Sequence, residues 1–242
     1  MIVTATEAQN RFGKYLKLSQ YEEIIITRNG EKIAKLLPYT EERSVGRWNV
    51  GEGSPAYKHQ AIKVSYEEYL KMTEASENRY EYIDGEIILM ASPLYPHQKA
   101  VRVLFVAFSL WFEEKECEPL VSPFDVTLFR LGREERINVV QPDILVICDQ
   151  DNLDEKGHYR GTPSLVVEVL SDSTRSKDLI KKLELYMESG VSEYWVVDTD
   201  AKQVTIHVFD GNNIAKMQTF KGEEYAESFT FPGLRVEVTR IF

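Results

Sequence analysis

Apolar residues recur along this chain first at helical and then at strand spacing. Near the N-terminus, Ala8, Phe12, Tyr15 and Leu16 follow Thr4-Ala5-Thr6-Glu7, where Thr4 and Glu7 stand at the spacing of a capping box, so a short amphipathic helix is expected. Two strand-like runs come next, residues 23–27 and 32–37, and the Asn29-Gly30 between them is a hairpin dipeptide. Pro38 closes this unit. From Thr40 to Gln60 the periodicity gives way to Gly, Ser, Pro and mixed charge, the composition of a linker. The expected organisation is a small α+β module over 1–40, a linker over 41–60 and a larger domain over 61–242.

Beyond the linker the rhythm alternates between helix and strand. Ser65 to Leu70 opens a helix at a second capping box, and Arg79 to Met90 reads as a hairpin around Asp84-Gly85. A long helix is expected from about His97 to Lys115, with Val101, Leu104, Phe105 and Phe108 on one face. Strands are expected at about 124–129, 144–148 and 164–170, then a helix over 174–189, then strands at 193–197 and 203–209. The run from Leu165 to Leu170 is apolar and β-branched apart from Glu168, as in a strand buried on both faces, so that carboxylate stands out.

Composition narrows the class. In 242 residues there is room for one sizeable core and a small accessory module. No apolar stretch approaches the ~20 residues that span a bilayer, and no basic-then-apolar leader is visible. Cys117 and Cys148 are far apart in sequence and lack metal-ligand spacing, so reduced thiols and a cytoplasmic location are expected. A net charge of −10 argues against non-specific grip on nucleic acid, which rests on Lys and Arg, and confines any DNA contact to a local site. It is compatible with carboxylates that hold a cation, whose charge reverses the local field.

The candidate chemistry lies in the central strands. Pro142-Asp143 begins one strand and Glu168 lies near the end of the next, so two carboxylates are expected to meet where neighbouring strands diverge. Such a pair suits Mg²⁺, which takes oxygen from one or two carboxylates and completes its shell with water and phosphate. On the following helix Leu179, Ile180, Leu183, Tyr186 and Met187 share one face; Lys181 points away and Lys182 falls at the edge of the stripe. From there Lys182 can orient a water and offset charge on a phosphate. Ser173 and Thr174 read as a helix cap, since no His and Asp stand at triad spacing.

Several segments resemble the Uma-two family over roughly Ile62 to the C-terminus. They are Tyr66 to Leu70, Arg79 to Glu86, Ser92-Pro93 with Pro96-His97-Gln98, Gln141-Pro142-Asp143, Val167 to Ser171, Ser173-Thr174, Asp178 with Lys182 and Tyr186, and Gly190-Val191 with Glu193-Tyr194-Trp195. The resemblance implies a restriction-endonuclease-like α/β (α+β) fold of the PD-(D/E)xK superfamily, a four-stranded mixed sheet flanked by helices, and phosphodiester cleavage dependent on Mg²⁺ or Mn²⁺. It implies Asp143 and Glu168 as metal ligands, Lys182 as the catalytic lysine and Glu81 as a further acidic residue facing the site; an exposed pleat position is the other reading of Glu81. The superfamily lysine follows the second acid by two residues, where this chain has Leu170, so Lys182 stands as a migrated equivalent. His97, at the start of the long helix, is a candidate for substrate or metal contact or for a structural role. Asp125, Asp178 and Asp198 also match, and a turn, a first helical turn and a strand end account for them.

Val3 to Ala8, Arg11-Phe12, Leu16, Ile24 to Gly30 and Ile33-Ala34 resemble the DNA-binding half of the Phd/YefM antitoxin family. That resemblance implies a homodimer binding operator DNA through Arg11, Lys14 and Arg28, and leaves a toxin partner open. The plainer reading is dimerisation alone, with Arg11, Lys14 and Lys17 as a solvated flank. The expected function is a metal-dependent DNA endonuclease with a fused DNA-binding and dimerisation module. The alternatives are a non-catalytic antitoxin-like regulator with an inactive nuclease-fold domain, and an RNA substrate.

Overall fold

Capping and turn residues start the elements as the sequence predicts, and strand pairing then decides which side chains meet. The computed structural model describes residues 2–10, 12, 15, 19, 24–28, 31–36, 63–76, 78–90, 92–155, 157–170 and 177–242. The chain forms two units, Met1–Gly51 and Glu52–Phe242.

Among the described residues of the first unit, β1 (Ile2–Thr4), β2 (Ile24–Arg28) and β3 (Glu31–Leu36) form a three-stranded sheet, and α1 (Ala5–Asn10) follows β1. The sheet order is β1-β2-β3, with β1 parallel to β2 and β2 antiparallel to β3. Thr4 Oγ1 accepts the Glu7 N–H at 3.2 Å, which caps α1. Val3, Ala8, Tyr15 and Ile24 make the small core, whereas Phe12, expected on the apolar face, is 42% exposed. Leu16, the Asn29-Gly30 turn and the expected linker at 41–60 lie outside the described residues.

The second unit begins with α2 (Tyr66–Glu74), on a complete capping box between Ser65 and Glu68. The hairpin β4 (Tyr80–Ile83) and β5 (Glu86–Leu89) turns through Asp84 and Gly85, both at positive φ (51° and 86°), as a tight two-residue turn requires. After α3 (Tyr95–Phe112) come β6 (Glu118–Val121), β7 (Val126–Arg130), β8 (Arg133–Val140), β9 (Ile144–Ile147) and β10 (Leu165–Leu170). Then follow α4 (Lys177–Glu188), β11 (Glu193–Asp198), β12 (Gln203–Asp210), β13 (Asn213–Lys221), the short pair β14 (Tyr225–Glu227) and β15 (Arg235–Glu237), and α5 (Val238–Ile241).

The central sheet is mixed, in the order β13-β12-β11-β10-β9-β6, with β10 and β11 its parallel pair. It has six strands where the family resemblance implies four. The two edge strands carry weak sequence signals: β13 is exposed at every position but Phe220, and β6 contains Pro119, which an edge tolerates. On one face α3 and α5 pack over Leu165, Val167, Trp195 and Val197. On the other, Leu185 and Tyr186 of α4 pack over Leu145, Val166 and Tyr194, and a second sheet, β5-β4-β8-β7, adds Ile83, Leu128 and Val140. The candidate site lies in this second layer.

Cys117 and Cys148 correct one expectation. They are bonded, not reduced, because the antiparallel register that sets Glu118 opposite Ile147 sets Cys117 opposite Cys148 one step further. A separation of 31 residues in sequence becomes 4.1 Å between Cα atoms. Among the described residues, no helix is long and apolar enough to cross a membrane.

Candidate active site

Register brings the carboxylates together. Antiparallel pairing of β9 and β10 matches Ile144 with Val167, so Asp143, one residue before β9, falls opposite Glu168. Opposed residues carry their Cβ atoms about 5 Å apart and on one face. That face is the α4 side, because Val166 of β10 and Leu145 of β9 point there. The third carboxylate comes from the second sheet. In β4 the alternate residues Tyr80 and Tyr82 pack with Tyr69 and Val139, which turns Glu81 the opposite way, with Ile83. Glu81 is 3% exposed, so burial replaces the exposed pleat reading.

Lys182 reaches this triangle from α4. Its ammonium donates to Glu81 Oε1 and Glu168 Oε1, both at 2.9 Å. Glu168 Oε1 also accepts the Tyr186 hydroxyl at 2.6 Å, and Glu81 Oε1 accepts the Gln141 backbone N–H at 2.9 Å. Asp143 Oδ2 accepts the Val169 N–H at 2.8 Å, and His97 Nε2 lies 3.2 Å from the same oxygen. Each of the three carboxylates thus gives one oxygen to these contacts; the other has no hydrogen bond among the described residues. His97 Nδ1 and the Tyr194 hydroxyl are buried without a partner among the described residues.

Burial and charge compete here. Burial raises the Glu168 carboxyl to about 7; Lys182 pulls it down, and Asp143 and Glu81 add to the rise. Burial acts to lower Lys182, but Glu168 and Glu81 outweigh it and hold the ammonium well above its ordinary value. Burial also acts to lower His97, and the Asp143 carboxylate reverses this into a net rise. Tyr186 and Tyr194 are pushed well up, first by burial and then by Glu168.

Of the predicted site residues, Asp143, Glu168, Lys182, Glu81 and His97 therefore come together. Arg28 ends β2 in the first unit with an exposed side chain, and Arg11, Lys14, Lys17, Ser173 and Thr174 lie outside the described residues. Lys181, read as facing away from the stripe, pairs with Glu86 of β5. Asp198 caps a turn by accepting the N–H groups of Asp200 and Ala201, and Asp125 accepts from the Gln141 amide at 2.7 Å. Sequence reasoning assigned no site role to Tyr186, Tyr194 or the Gln141 backbone. Tyr186 carried a signal, since it stands four residues after Lys182 and so on the same side of the helix.

A mixed sheet with two strand carboxylates and a helix lysine on one covered face places this chain in the restriction-endonuclease-like class. The chain belongs to the Uma2 family, described as "Putative restriction endonuclease", whose model matches residues 66–239. Residues 1–45 match the model of "Antitoxin Phd_YefM, type II toxin-antitoxin system". Two "Uncharacterized" proteins of Synechocystis sp. are similar: one is 29% identical over 60% of this chain and 74% of its own length, the other 27% identical over 68% and 91%. A crystal structure described as a "putative nuclease belonging to DUF820" from Anabaena variabilis superposes with a TM-score of 0.59 at 20% identity. It covers 74% of this chain and 97% of that one, and the likeness is one of fold.

Proposed function

We propose that this protein is a Mg²⁺- or Mn²⁺-dependent DNA endonuclease, hydrolysing phosphodiester bonds at the Asp143–Glu168–Lys182 site, with a fused N-terminal module for dimerisation and DNA binding. The observation that carries the reading is Lys182, a buried ammonium held by Glu81 and Glu168 beside Asp143. Three carboxylates face Lys182 and His97, so with every group ionised the cluster keeps a net negative charge, which a divalent cation offsets.

The donor set fits a hard cation. Asp143 and Glu168 each keep one carboxylate oxygen with no hydrogen bond among the described residues, and all the donors are oxygen. Among the described residues, no three His, Cys, Asp or Glu side chains form a ready-made cage. That suits Mg²⁺, which binds through one or two carboxylates plus water and substrate phosphate. Asp143 and Glu168 would hold the ion, which when bound polarises the phosphate and activates water. Val169 N–H and His97 keep Asp143 turned toward Glu168. Lys182 supplies positive charge where negative charge develops on the phosphate, and Glu81 fixes where that ammonium sits. Tyr186 keeps a donor on Glu168 Oε1 when Lys182 turns to substrate.

The test is nicking or linearisation of supercoiled plasmid with Mg²⁺, Mn²⁺ or EDTA. Wild type cleaves with metal and not with EDTA; Asp143→Ala and Lys182→Ala each lose about 100-fold or more, with folding verified by circular dichroism. A folded wild type that fails to cleave whichever metal is added, yet binds operator-type DNA, overturns the enzyme in favour of a non-catalytic regulator. Cleavage of RNA alone replaces the substrate.

A further inference from the structure

Helix α3 buries Ala100, Val101, Leu104, Phe108 and Phe112 against the central sheet. Its opposite stripe is apolar and open, with Val106 50% and Leu110 68% exposed. The two residues lie on one wall of a groove of about 350 Å³, and Tyr225, Arg235, Glu237 and Arg240 lie on the other, with Arg240 paired to Glu237 at 2.9 Å. An open apolar groove rimmed by charged side chains is a surface on which a partner can dock.

The charges along the same stripe say which partner. At helical spacing the stripe reads Lys99, Arg102, Val106, Leu110, Glu113: cations on one side of the apolar centre and an anion on the other. Glu114 and Glu116 extend the acidic end, and the Lys115 ammonium is turned back over the Trp111 ring, 4.0 Å from its centroid. A helix of this pattern is complementary to itself in the antiparallel sense. A two-fold axis at Val106 sets residue 106 + n of one copy against 106 − n of the other. Glu113 then faces Lys99 and Leu110 faces Arg102. Parallel pairing would set like charges together. A closed dimer requires such a self-complementary patch.

We infer that α3 and its groove are the contact surface for a second copy of this chain, paired antiparallel with Val106 on the two-fold axis. This pairing stands apart from the nuclease reading and from any dimerisation by the N-terminal unit.

The test is cysteine cross-linking in the full chain, whose two native cysteines are bonded to each other. Under mild oxidation Val106→Cys forms a disulfide-linked dimer, whereas Leu110→Cys does not, since its two copies lie about 12 Å apart along antiparallel axes. In the Val106→Cys background, Lys99→Glu slows cross-linking at least tenfold, and adding Glu113→Lys restores it. Cross-linking at Leu110 as fast as at Val106 overturns the antiparallel register. Absence of cross-linking at Val106, or indifference to the charge reversal, assigns the groove to another partner.

Discussion

Lys182 and His97 are two cations that burial alone would discharge, and each is kept charged by a carboxylate across the site. For His97 the consequence is measurable. Its folded pKa is raised above the ordinary 6.5 by Asp143, so the pair stabilises the fold fully below pH 6.5 and loses that contribution as pH rises through the folded value. In EDTA, His97→Gln is therefore expected to lower the thermal midpoint most near pH 6 and progressively less toward pH 8.5. Midpoints of wild type and variant across this range check it, and a difference that grows with pH would sink the assignment. Tyr186 has no such titration to reveal it. Its hydroxyl acts by occupying Glu168 Oε1, and from sequence a tyrosine on the apolar face of a helix looks like core.

At the scale of elements, α3 and α4 grip the sheet from opposite sides. Phe108 of α3 is fully buried and meets Trp195 of β11 edge-on at 5.4 Å between ring centroids. Phe108→Ala is expected to cost about 3–5 kcal/mol, because the sheet beneath cannot collapse into the vacated volume; denaturant titration of the two proteins measures it. Helical periodicity made α3 readable to within a turn: 97–115 expected, Tyr95–Phe112 observed. Strands with one buried face or two were equally readable, as at β12 and β10. The strands that went unread were β1, β6, β8, β13 and the β14–β15 pair. In β13 the residues are held by the ladder to β12 rather than by buried side chains, so no alternation marks them. The same limit applied to Glu81, whose burial depends on a second sheet closing over the first.

For the whole molecule, the bond between Cys117 and Cys148 ties the edge of the central sheet across a span of 31 residues. Closing a loop of that length lowers the entropy of the unfolded chain and is worth about 3–4 kcal/mol. Reduction with dithiothreitol is expected to lower the urea midpoint by the corresponding amount, and Cys117→Ser with Cys148→Ser to reproduce the loss. An unchanged midpoint on reduction would show that the pair contributes nothing to stability. The site lies in the layer between the two sheets, where strand carboxylates and a helix lysine are held out of bulk water by the same cluster that closes the core.

Local spacing alone specified the capped helices, the Asp84-Gly85 hairpin, the buried strand around Glu168 and the placing of Lys182 at the edge of an apolar face, because each of these depends on residues within a few positions of one another. Motif resemblance added the family and the candidate roles of Glu81 and His97. Only the tertiary structure decided that Glu81 faces inward from a second sheet, that one oxygen of Glu168 is shared by Lys182 and Tyr186, and that Cys117 and Cys148 are bonded. Those contacts join residues 14 to 101 positions apart, and their geometry follows from strand register and sheet stacking, quantities that pairing between distant segments sets.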